Sequence, residues 1–165
     1  MTDKDNAQAE DQAPKPDPAL NRLDVLIGTW DLKGRTLDSD KDNITGWNTF
    51  EWLPGGFFLK STGEINFKGV LIQSLEIIGY DPESHTFPSN VYSNVDGKVL
   101  PYDWNVQGQV VTHSDKTSTY TGTISADGKT LSGGWRPKEG EQGSPENSYD
   151  AIMTLVTRKK KRLKT

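Results

Sequence analysis

From Leu23 onward the apolar residues tend to alternate with polar ones, and turn-forming residues return every few positions. A chain written this way is confined to many short strands joined by hairpins. The spacing predicts strands near 29–37, 45–53, 56–66, 69–80, 85–94, 98–105, 108–114, 118–126, 129–135 and 149–158. Asp96-Gly97 and Asp127-Gly128 suit hairpin turns that need a positive φ, Pro54-Gly55-Gly56 suits a tight reversal, and Asp81-Pro82 suits a type I turn. Consecutive hairpins make an up-and-down meander.

An open meander leaves a row of unpaired backbone groups at each edge, and closing the sheet on itself removes both rows. The expected fold is therefore all-β, a single antiparallel barrel of about ten strands, with a β-sandwich as the alternative. Roughly eight strands already enclose one small ligand, so a wider barrel is expected to hold a cavity. One short helix is expected over 18–27, where Leu20, Leu23, Leu26 and Ile27 share a face, Pro18 suits the first turn and Gly28 ends it.

The ends read differently from the middle. Residues 1–19 contain no Ile, Leu, Val or aromatic residue, and Pro14, Pro16 and Pro18 favour extended backbone, so this stretch reads as a disordered polar leader. It lacks the basic start and apolar run of a secretion signal, and no window is apolar enough for a membrane-spanning helix, which points to a cytoplasmic protein. The barrel domain is expected over 20–158 and a basic tail over 159–165. That tail, with Arg158 before it, concentrates positive charge, so the body is more acidic than the net charge of −4 indicates and is a poor nucleic-acid binder. The absence of cysteine excludes disulfides, thiolate metal sites and thiol nucleophiles.

Gly28-Thr29-Trp30, placed after a short helix and opening the first strand, resembles the start of calycin barrels such as lipocalins and nitrobindins. Phe50-Glu51-Trp52-Leu53-Pro54-Gly55-Gly56-Phe57 followed by Ile78-Gly79-Tyr80-Asp81 resembles the bacterial domain of unknown function 1579, and the likeness covers most of 23–157. The lipocalin resemblance implies that Trp30 packs across a closed barrel end beneath an arginine from the last strand, a place Arg158 is positioned to fill. The nitrobindin resemblance implies haem held by a histidine near the C-terminal end. The last predicted strand has none, so haem is not expected, and His113 is left as the one internal candidate for an axial ligand.

Catalytic patterns fail one by one. His113, Ser114 and Asp115 are consecutive, and neighbouring strand residues face opposite sides, so they do not form a triad. Gly122 to Thr130 is a near miss to a phosphate loop and reads better as a hairpin, and Asp38, Asp40 and Asp42 start a calcium-loop pattern that lacks its glycine and its closing glutamate. No cofactor or metal is expected.

What remains is a set of polar and aromatic residues on strand faces. Glu76 shares a face with Val70, Ile72, Ser74 and Ile78, and Glu51 shares one with Trp47, Thr49 and Leu53; whichever face turns inward carries a carboxylate into the interior or leaves it in solvent. Tyr92, Trp104, Tyr120 and Trp135, with His113, supply aromatic walls and polar tips suited to a small amphipathic ligand. Arg136 stands ready for an anionic head group. The expected function is binding of a small, largely apolar ligand without catalysis. Two alternatives stay open: an enzyme using Glu51 or Glu76 as an internal acid or base, and a packed barrel whose outer face or basic tail meets a partner.

Overall fold

The computed structural model describes residues 13–157. Ten strands form one closed antiparallel barrel: β1 (Gly28–Thr36), β2 (Ile44–Trp52), β3 (Leu59–Phe67), β4 (Val70–Ile78), β5 (Phe87–Ser93), β6 (Leu100–Gln107), β7 (Val110–Ser114), β8 (Ser118–Ile124), β9 (Thr130–Pro137) and β10 (Tyr149–Thr157). Each strand pairs with its sequence neighbours, and β1 pairs with β10 to close the ring. The barrel thus takes the expected form over the sandwich, and it is consistent with a calycin-like fold. Gly97 and Gly128 carry the positive φ anticipated for their turns, at 69° and 70°.

The helix runs from Pro18 to Leu26 and winds with three residues per turn. That period explains its buried set, because Leu20, Leu23 and Leu26 recur every third residue and so lie on one line. Asp17 caps it by accepting a hydrogen bond from the Ala19 amide (2.8 Å). The helix therefore begins inside the stretch read as the leader. The rest of that leader up to residue 12, the basic tail and Arg158 lie outside the described residues.

The helix plugs one end of the barrel. Leu23 is fully buried in one core cluster with Trp30, Leu59, Ile78, Phe87 and Ile124, and Trp30 donates its indole N–H to the Leu26 carbonyl (2.7 Å). Trp52 donates to Asp24 Oδ1 (2.9 Å), and the Arg22 guanidinium lies 4.9 Å over the Phe87 ring. Among the described residues no helix is long and apolar enough to cross a membrane.

Candidate functional site

Cross-strand partners in a sheet share a face, so register decides which inward side chains become neighbours. One inward row runs through five consecutive strands: Trp104 pairs with His113, His113 with Tyr120, Tyr120 with Trp135 and Trp135 with Tyr149. The next row toward the plugged end is made of small residues, with Gly122 beside Gly133, Gly133 beside Ala151 and Ala151 beside Gly34. The small row gives the aromatic row somewhere to lie. A methyl group at Gly122 would stand 2.5 Å from Tyr120 Oη, so the tyrosine ring occupies the space that the glycine leaves.

Between this aromatic wall and the opposite strands is a cavity of about 360 Å³, lined by apolar and aromatic side chains including Phe50, Ile65, Ile72, Val91, Leu131 and Met153. Glu76 reaches into it from β4 and is buried. Its Oε1 accepts three hydrogen bonds, from Ser89 Oγ (2.6 Å), Trp104 Nε1 (2.8 Å) and His113 Nε2 (3.0 Å). The imidazole of His113 stacks on the Trp104 indole with centroids 3.9 Å apart, and Tyr102 and Trp135 pack around it at 4.6 and 5.3 Å. The histidine ring is thus clamped by stacking and by one carboxylate bond.

Burial pushes the Glu76 carboxyl up, but the attraction of His113 and the three hydrogen bonds outweigh it and hold the group below the ordinary carboxylate range. Glu76 is therefore ionised at neutral pH. The Tyr102 phenol moves the other way, to about 12, because it is buried and because the charges of Asp115 and Glu76 oppose a second negative charge. Burial likewise raises the phenols of Tyr120 and Tyr149. Tyr120 Oη lies buried with no hydrogen-bond partner among the described residues.

Five of the eight residues singled out in the sequence come together here: Glu76, Trp104, His113, Tyr120 and Trp135. Three do not. Trp47 and Glu51 stand on the outer face of β2, because Ile44 and Phe50, of the opposite parity, are the buried positions. Glu51 there pairs with Lys60 Nζ (2.7 Å), so it is not an internal carboxylate. Tyr92 is exposed on β5, whose alternate residues Phe87 and Ser89 face inward, and it shares a shallow outer groove with Trp47 and Leu75. Arg136 also points out and spends its guanidinium on Asp150 Oδ1 (2.6 Å) and the Tyr149 carbonyl (3.1 Å), which removes it as an interior anion site.

Ser89, Tyr102 and Tyr149 were not singled out. For Ser89 the signal was available: it falls between Phe87 and Val91 on one strand face, and a serine between apolar inward residues needs a buried partner. A larger hollow of about 980 Å³ lies on the outer wall over β1, β10 and β9, flanked by Asp31, Lys33, Arg35 and Asp150. It is an open depression between charged side chains, and the buried polar groups converge inside instead. Among the described residues no cluster of three or more acidic or histidine side chains is arranged to hold a metal ion.

The family described as Protein of unknown function (DUF1579) matches residues 15–103, more than half of the 165-residue chain. The chain belongs to this family. The DUF1579 span takes in the helix and β1 to β5, and so includes Glu76 and Ser89, but it stops one residue short of Trp104 and is narrower toward the C-terminus than the likeness in the sequence implied. No curated protein matches the chain.

Proposed function

We propose that this DUF1579 barrel is a binding protein that holds one small, largely apolar molecule in its interior and carries out no reaction on it. The observation that carries this reading is the cavity. At the roughly 30 Å³ that a water molecule occupies in the liquid, its 360 Å³ would take about a dozen waters, and most of them would face aromatic and aliphatic walls that offer no hydrogen bond. A ligand of similar bulk replaces that water with apolar contact while polar groups at one end fix its orientation. The volume lies toward the lower end of the roughly 300–1,000 Å³ typical of small-molecule sites, which favours a single ring or a short chain.

Native mass spectrometry of the gently purified protein, paired with quenching of tryptophan fluorescence by a panel of small aromatic compounds, tests this. Trp104 and Trp135 line the cavity and report its occupancy. A bound mass, or saturable quenching at one site, is expected. A protein that carries nothing and takes up no member of the panel overturns the reading.

One observation favours a second reading. Glu76 orients the His113 ring through Nε2 at the edge of an open space, as a carboxylate does for a histidine base. Glu76 itself is ill suited to donate a proton, since its carboxyl is held low and not raised. In this reading His113 is the base and Glu76 positions it; recovery of every bound compound unchanged would exclude it.

A further inference from the structure

We infer that the cavity selects molecules bearing a positively charged amine and discriminates against carboxylates of the same shape. The inference rests on the binding reading above and adds the chemical class of the ligand.

The first observation is the charge of the wall. Among the described residues no lysine or arginine lines the cavity, whereas Glu76 and, at the rim, Asp96 do. Lys98 approaches Asp96 only at 3.8 Å, with both side chains in solvent, and is not part of the lining. A carboxylate ligand would lose its hydration and find no cation to replace it. His113 is the one wall residue able to carry positive charge, and its Nε2 is already turned to Glu76.

The second observation is where the acceptors are unspent. All three donors to Glu76 converge on Oε1, so Oε2 takes none of them and remains an acceptor for a donor arriving from the cavity. Tyr120 Oη is also without a partner, but it is packed over Gly122 and shut off from the cavity, so Glu76 Oε2 is the acceptor left for a ligand.

The third is the rings. Tyr102, Trp104 and Trp135 present aromatic surface beside the carboxylate, and aromatic faces attract ammonium groups through their quadrupoles. An ionised carboxylate beside aromatic walls is the chemistry of an ammonium pocket. The same walls accept the apolar body of the molecule.

The test is a matched series titrated into the full chain at neutral pH by calorimetry: 2-phenylethylamine, 2-phenylethanol and 3-phenylpropionate. The amine is expected to bind most tightly and the carboxylate least, with at least about a tenfold spread between them. In Glu76→Gln the amine should lose its advantage over the alcohol, and a near-ultraviolet circular dichroism spectrum matching the wild type shows that the variant is folded. Carboxylate binding equal to or tighter than amine binding overturns the charge assignment and leaves the binding reading standing, and so does an amine preference that survives Glu76→Gln. Binding of none of the three overturns the binding reading, and the preference with it. The wild-type series decides the sign even if the variant does not fold.

Discussion

The two ends of the barrel are made from the same ten strands with the same inward alternation, yet one end is solid and the other hollow. At the plugged end the inward positions carry Trp30, Leu59, Ile78, Phe87 and Ile124, and the helix adds Leu20, Leu23 and Leu26. Beyond that layer the small row of Gly34, Ala151, Gly133 and Gly122 makes room for the aromatic row, with Tyr120 lying over Gly122, while Ser61, Ser74 and Ser93 stand where aliphatic residues would close the space. The difference teaches that in a barrel of this width alternation decides what points inward, while residue size along a cross-strand row decides whether the interior fills.

The largest test of that contrast is a pair of tryptophan truncations. Trp30→Ala removes a fully packed side chain and should cost about 3–5 kcal/mol in urea denaturation, whereas Trp135→Ala, beside existing empty space, should cost no more than about half as much. Equal losses would break the contrast. Next in size, Trp104→Phe keeps the ring but takes one donor from the buried Glu76 carboxylate, and about 1.5–3 kcal/mol should be lost. A loss well below that would place solvent at the carboxylate.

The pH dependence sharpens the hollow end further. The Glu76 carboxyl is held below its ordinary value of 4.5, so its contribution to stability is fully present above that pH and is lost as pH falls through the lower, folded-state value. Denaturation midpoints of the wild type against Glu76→Gln should therefore converge as the solution is acidified. Asp81 and Asp127, held low by hydrogen bonds in their exposed turns, act with the same sign in both proteins and cancel in the difference. The smallest effect is expected outside the barrel: Glu51→Gln, which weakens an outer pair with Lys60, should change stability by at most about 1 kcal/mol and leave quenching of the interior tryptophans unaltered.

The barrel was legible because its turns and alternation are local, and each strand could be placed from its own few residues. Faces were legible only where one parity is plainly apolar. In β5, Phe87 and Val91 fall on one parity and Tyr92 on the other, so the outward place of Tyr92 could have been read. In β2 each parity carries a tryptophan and polar residues, so Glu51 was drawn to the wrong side for want of contrast, and Trp47, of the same outward parity, only borders the cavity. The alliance of Glu76 with Ser89, Trp104 and His113 depends on register across β4 to β7 and on barrel curvature, neither of which is written in a single strand. The small-residue row is hidden for the same reason: its members are scattered along the chain and become neighbours only once the strands are aligned.

Closure of the ring has a consequence for how the chain reaches this state. Every seam but one joins strands adjacent in sequence, and those hairpins can zip locally. The seam between β1 and β10, which pairs Thr29 with Thr157, must wait until distant parts of the chain meet. Its entropic cost grows only slowly with loop length, so closure is chiefly a matter of timing. Until then β1 and β10 are both open edges, and the species most prone to associate with its own copies is the nearly finished meander before the two strands join.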